Sequence, residues 1–311
     1  MGLGELLWDL LPEGPRLGGA PANFAVMAGR LGDHAVITSR LGTDKLAEEA
    51  RAVLDALPVD CDFLQADAEF ATGTVTVTLA DGEPHYTIDA PVAWDRLAMT
   101  PEWNELAARA DAVCFGTLAQ RDLVSRAAIL TFLDATRPGC LRVFDVNLRA
   151  PHWSGEVLIE GLGRATILKM NAGEVAQVLV ATGVCPAPPA EQDEDALLSG
   201  ARMLLERYPM HMVCVTMGAA GSLLVTRECW HQHAGHAAAA RDGLADSVGA
   251  GDAFTAALTH YYLEGAALPV MNEAGNRWGA WMAGQTGAMP PLPAETLARM
   301  AAEIRMRREN L

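Results

Sequence analysis

The chain has 311 residues, half of them hydrophobic, which is enough for one large α/β domain around a sizeable core. Its formal net charge of −16 argues against general binding to nucleic acid or anionic membrane, and leaves room for a local positive pocket. No apolar run reaches the ~20 residues of a membrane span, and no basic-then-apolar leader opens the sequence, so a cytoplasmic protein is expected.

In chain order, GELLWDLL reads as a first strand that begins almost at Met1 and ends near Asp9. PANFAVMAGRLG reads as a helix, with Pro21 early and Gly32 at its end. AVITSRLG is a second strand, and Asp44 to Leu57 a helix. GTVTVTLADGEPHYTID then alternates apolar and polar residues around Asp81-Gly82, the signature of a β-hairpin. Lying between α/β units, at about residues 70–95, it is a candidate lid on a single domain spanning 1–311. The runs AVCFG, LRVFDVN, TILKMN and MVCVTMG are strands. Helices fall between them at Leu123–Thr136, Gly155–Ala165, Gly173–Ala181 and Ala196–Arg207. That order predicts a mostly parallel central sheet with helices on both faces. GSLLVTRE and CWHQHAG read as antiparallel strands at one edge. The last third is helical, at Asp252–Leu263, Met271–Thr286 and Pro293–Arg308.

Only Lys45 and Lys169 are lysines, and neither stands in a Gly-Lys-Ser/Thr context, which excludes a Walker-type phosphate loop. No Gly-x-Gly-x-x-Gly follows the first strand, which disfavours a dinucleotide oxidoreductase. The cysteines Cys61, Cys114, Cys140, Cys185, Cys214 and Cys229 are scattered without a Cys-x-x-Cys pair and read as free thiols.

The stretch DSVGAGDAF, Asp246 to Phe254, places Gly249, Ala250 and Gly251 directly before a helical run. Small residues and the free N–H groups of a helix start make an anion site without a lysine. Asp252 then faces the anion, where a carboxylate is useful only as a base. A plain helix cap explains the same spacing equally well. In RLGGAPANF, Gly18 and Gly19 allow close approach of a ligand, with Asn23 one turn on and Asp9 at a strand end. That set suits a polyol, and a tight turn before a helix accounts for it too. FDVNLR ends a strand with Asp145, Asn147 and Arg149. Asn171 and Glu174 fit either a helix capping box or an acid that orders a Mg²⁺-bound water. Thr216 and Gly218 mark another strand end, where a nucleotide could lie.

Taken together and in order, GGAPAN, the hairpin, NAGE, TMGAAGS, GAGD and GAMPPLP resemble the ribokinase-like (PfkB) carbohydrate kinase family over nearly the whole chain. WDLLPEG, AWD, FGTLAQR and FDVNLRAPHW look most like its bacterial fructokinases. The resemblance implies transfer of the γ-phosphoryl group of ATP to a sugar hydroxyl, most like fructose to fructose 6-phosphate. Asp252 would be the base, and Gly249, Ala250 and Gly251 the anion hole. Asp9, Gly18, Gly19, Asn23 and Arg149 would bind sugar. Asn171, Glu174, Thr216, Gly218, Gly221 and Asn276 would serve ATP, with Glu174 holding Mg²⁺ through water. Asp246 and the carbonyls of Val248 and Gly287 match a K⁺ site of the family. Pairing through the lid, to give a homodimer, is also implied. Two features depart from the family: few residues precede Gly4-Glu5, and Ser247 replaces the usual Thr.

Other readings are a kinase for ribose, 2-keto-3-deoxygluconate or a nucleoside, and a catalytically silent sugar-binding regulator. His231, His233 and His236 suggest zinc, but alternate positions on an edge strand explain them better. Trp278 and Trp281 read as core.

Overall fold

The computed structural model describes residues 1–311 apart from 12–13, 81–82, 189–192, 239–247 and 310–311. An eight-stranded sheet runs through its centre, in the order Trp230–His233, Ser222–Thr226, Met212–Thr216, Ile167–Asn171, Leu141–Asp145, Ala112–Phe115, Gly2–Leu3, Ile37–Thr38. From Met212–Thr216 to Ile37–Thr38 all neighbours pair parallel; the first two strands pair antiparallel, at the edge where the sequence predicts them.

Both faces are covered, so the strands read as continuous apolar runs. In Ala112–Phe115, Val113 and Phe115 pack into one core with Phe144, Trp103 and Phe132, while Ala112 and Cys114 pack into the other. The first core lies under the helices Pro101–Arg109, Leu123–Asp134, Gly155–Arg164, Ala172–Ala181 and Glu194–Arg207. The second lies under Ala20–Leu31, Ala250–Leu263, Leu268–Ala283 and Ala294–Glu309, where Phe24, Phe254 and Trp278 are buried. Trp281 packs edge-on against Trp278 at 5.7 Å between ring centroids, which agrees with the core reading. The cysteines are free thiols.

The first strand differs from its sequence reading. GELLWDLL does not form one strand: Gly2–Leu3 belongs to the central sheet and Leu7–Leu11 to a second, four-stranded sheet. The break falls at Gly4, whose φ of 149° leaves the ordinary strand region and where a Cβ would press on Pro21. Asp9 therefore sits inside a strand of the small sheet, opposite Arg16 and Val75, and not at the end of a central strand. The small sheet runs Gly14–Gly18, Leu7–Leu11, Gly73–Ala80, Glu83–Ile88. The expected hairpin supplies half of it; the N-terminal hairpin supplies the rest, joined by parallel pairing of Leu7–Leu10 with Gly73–Thr76. The turn at Asp81-Gly82 lies outside the described residues, as do the side chains of Val77 and Leu79; Val75 is buried. AVITSRLG likewise splits, into Ile37–Thr38 in the central sheet and Arg40–Leu41 against Gln65–Ala66. No helix among the described residues is long and apolar enough to cross a membrane.

Candidate active site

The carboxyl ends of the parallel strands, where open α/β sheets bind ligands, set out the polar residues in register. Asp145 stands opposite Lys169, and Asn171 opposite Thr216. Two helix N-termini converge on this edge. Ala20–Leu31 starts after Gly19, whose φ of 110° lets the backbone turn; a Cβ there would lie 2.4 Å from the Glu5 carbonyl oxygen. Ala250–Leu263 starts after Gly249, in the left-handed region at φ 77°. It begins two residues earlier than the sequence suggests, so Asp252 sits in its first turn among N–H groups that have no intrahelical acceptor.

The two helices pack in the core that holds Phe24 and Phe254, and Asn23 Nδ2 donates to Asp252 Oδ2 between them at 2.8 Å. Burial, then the nearby Asp145, pushes the Asp252 carboxyl up; the bond from Asn23, Lys169 and Arg149 pull it back, and it settles at about 6. Glu5, on the turn between the first two strands, is buried beside them and is raised to about 7, first by burial and then by Asp252. Two buried oxygens here, Glu5 Oε2 and Asn23 Oδ1, have no hydrogen-bond partner among the described residues. Asp9 closes this region from the small sheet: its Oδ2 is 2.9 Å from the place of a Cβ on Gly18. Arg149 is exposed and donates to the Leu148 carbonyl at 3.1 Å. The turn that carries it is set by Asn147, at φ 38°.

On the other side, Asn171 and Glu174 form the capping box that their spacing allows: Asn171 Oδ1 accepts from the Glu174 N–H at 3.1 Å, and Glu174 Oε2 from the Asn171 N–H at 2.8 Å. Glu174 Oε1 accepts a third bond, from the Leu148 N–H at 2.7 Å, which ties the Arg149 turn to this helix. Burial, with Asp145 next, raises the Glu174 pKa. Thr216 donates to the Met170 carbonyl at 3.4 Å, and Gly218 and Gly221 turn the chain at φ 59° and 94°. Gly221 is held against the His233 carbonyl, where a Cβ would be 1.8 Å away. Asn276 is not free to face a ligand with its amide nitrogen, which donates to Ser222 Oγ at 2.7 Å and to Asn272. Of the cation set, Asp246 lies outside the described residues. Val248 is exposed, and the segment after Gly287 abuts Gly249, with Ala288 Cα 3.0 Å from the place of a Cβ.

The geometry adds Lys169 and Glu5 to the residues singled out from the sequence, and places Asp145 against Lys169. The signal for Lys169 was present: a lysine inside the buried strand TILKMN, in a chain that otherwise uses arginine. His233 and His236 do meet a carboxylate, Glu273, at 2.8 and 3.0 Å. His233 Nδ1, however, accepts the Gly235 N–H at 2.9 Å, so the proton of the neutral ring is on Nε2 and donates to Glu273. A metal would have to displace that proton, and Arg277 also occupies Glu273 Oε1. The cluster is a hydrogen-bonded clasp between the edge strand and the helix Leu268–Ala283.

The pfkB carbohydrate kinase family profile matches residues 15–295. This chain belongs to the pfkB family of carbohydrate kinases. Among relatives of this pfkB kinase, the fructokinase of Escherichia coli is 30% identical over 94% of this chain and 95% of its own. The aminoimidazole riboside kinase of Salmonella typhimurium is 29% identical over 94% and 91%. In structure, a pfkB-type match is an uncharacterized sugar kinase of Pyrococcus horikoshii, with a TM-score of 0.79, 26% identity and coverage of 97% and 98%. The ribokinase-like fold expected from the motifs is thus shown, and so is carbohydrate kinase chemistry as a class.

Proposed function

We propose that this kinase transfers the γ-phosphoryl group of ATP to a hydroxyl of fructose, with Asp252 as the general base. The observation that carries the reading is a buried carboxylate in the first turn of a helix, held by Asn23 Nδ2 at 2.8 Å, where burial raises its pKa to about 6. At neutral pH such a group is ionised yet basic enough to receive a hydroxyl proton. The free N–H groups around Gly249, Ala250 and Gly251 would receive phosphoryl oxygens, where each preorganised donor contributes about 2.7–4 kcal/mol to the transition state. The unpartnered oxygens of Glu5 and Asn23 suit a substrate that brings several O–H donors, and Asp9 with Gly18 and Gly19 would complete the sugar pocket.

ATP would lie along Thr216, Gly218 and Gly221, with Asn171 near its phosphates and Asn276 behind the pocket. Glu174 fits Mg²⁺: it is a hard oxygen donor, and a cation would relieve the burial that raises its pKa. Bound there, Mg²⁺ would neutralise charge on the phosphates. The carbonyls of Val248 and Gly287 suit K⁺, with Asp246 as the third candidate. Arg149 would reach the sugar from the rim, and the small sheet would cover it and exclude water.

Fructose is favoured by the fructokinase relatives and by the motifs WDLLPEG and FDVNLRAPHW. Purified protein with ATP and Mg²⁺ should release ADP fastest, by kcat/KM, with fructose in a panel that includes ribose, 2-keto-3-deoxygluconate and aminoimidazole riboside. A higher kcat/KM for another member reassigns the substrate; sugar binding without ADP release defines a silent regulator.

A further inference from the structure

Lys169 is one of two lysines in the chain, and it is buried in the middle of the central strand Ile167–Asn171, opposite the last residue of Leu141–Asp145. Its Nζ lies 3.0 and 3.1 Å from the two Asp145 carboxylate oxygens. On its other side is Gly251: a Cβ on that glycine would come within 2.8 Å of the ammonium. Glycine at 251 lets the ammonium lie this close; a side chain there would push Lys169 Nζ aside. Thr255 Oγ1, on the helix Ala250–Leu263, donates to Asp145 Oδ2 at 3.2 Å and so ties the ion pair to that helix.

Four carboxyl groups ring this space: Asp145, Asp252, Glu174 and Glu5. The cations that face them are Lys169 and Arg149, and Arg149 is exposed, where water and salt screen it. The thiols Cys114 and Cys214 flank the pair and are kept protonated by burial. A cleft so acidic repels a phosphoryl group unless a buried cation stands behind its N–H donors.

We propose that Lys169 is a positioning residue for phosphoryl transfer: its ammonium, held by Asp145 beneath Gly251, keeps Asp252 ionised and adds positive charge behind the anion hole. This rests on the assignment of Asp252 as the base.

The test compares the wild type with Lys169→Met and with Asp145→Asn/Lys169→Met, which leaves no unpaired buried charge. The carboxyl titration of Asp252 is followed by carbon NMR, assigned with Asp252→Asn, and ADP release is followed against pH. In Lys169→Met the Asp252 midpoint should rise by about one pH unit, and kcat at pH 7.5 should fall about tenfold or more, with KM for ATP changed less than about threefold. In the double variant the midpoint should return to within about half a unit of the wild type, since a raising and a lowering charge leave together, while kcat stays low. A purely structural ion pair predicts lower stability, an unmoved midpoint and kcat within about twofold, and that result overturns the proposal. If Lys169→Met does not fold, the double variant decides: wild-type kcat overturns the proposal, and a loss of about tenfold supports it. If the wild type phosphorylates no sugar, the kinase assignment fails, while the NMR midpoints still test the ammonium.

Discussion

Replacing Asp252 by Asn should abolish turnover and stabilise the fold. The carboxyl titrates near 3.8 in the unfolded chain and at about 6 in the folded one. Folding therefore favours its protonated form. Below pH 3.8 both states are protonated and the group has no effect. As pH rises through the interval from 3.8 to about 6, the native state loses stability relative to the unfolded chain, and above 6 the loss is complete. Two units correspond to about 3 kcal/mol. Asn has the same shape, cannot ionise, and can still accept the hydrogen bond from Asn23. At pH 7.5 the variant should gain up to about 3 kcal/mol, or about 5 °C in Tm for a chain of this size. At pH 4 the gain should vanish. Thermal or urea denaturation at the two pH values measures this, and ADP release should fall by about 10²–10⁴. An equal change in stability at both pH values, or none at pH 7.5, would refute the buried, strained carboxylate on which the site is built.

The same group should place the acid limb of kcat/KM near pH 6, falling about tenfold per unit below it; a limb near pH 4 would contradict the desolvation described above. Asp9→Ala should raise KM for the sugar about tenfold or more and leave KM for ATP nearly unchanged, and equal effects on both would remove Asp9 from the sugar pocket. Gly73→Ala should destabilise by about 1–3 kcal/mol in urea, because its Cβ would lie 2.2 Å from Nε1 of Trp94, a fully buried ring pinned under Arg121; an unchanged midpoint would show that the ring can yield. Protein dialysed against zinc and desalted should retain no stoichiometric metal, and retention lost in His236→Ala would reverse the reading of the Glu273 clasp.

Much of the central sheet is legible from the sequence, because long apolar runs bounded by polar turns carry one meaning in an α/β context. LRVFDVN, TILKMN and MVCVTMG each form a strand, with Asp145, Asn171 and Thr216 at the carboxyl ends. The helix Pro101–Arg109 was equally legible and went unread: Thr100 caps Trp103, and Pro101 stands at the first helical position. GELLWDLL misleads for a different reason. Its pattern is that of one strand, and only the tertiary environment of Gly4, pressed on Pro21, divides it between two sheets. Asp252, Asn23 and the glycines were visible through spacing. Lys169 shows in the sequence only as a lysine inside an apolar strand, and Glu5 not at all, since their surroundings depend on burial, which a linear pattern does not record. Asn171 and Glu174 form the capping box, and its bonds leave lone pairs on the Glu174 carboxylate for the Mg²⁺ role proposed above.

The small sheet is braided from two distant parts of the chain. Leu7–Leu11 lies beside Gly73–Thr76, and the segment that leads back out, through Gly18 and Gly19, runs straight into the helix that carries Asn23. The small sheet is thus not a detachable module. Grafting a relative's hairpin at 70–95 alone would pair a foreign strand with the native Leu7–Leu10 edge, so the two strands have to be exchanged as one piece.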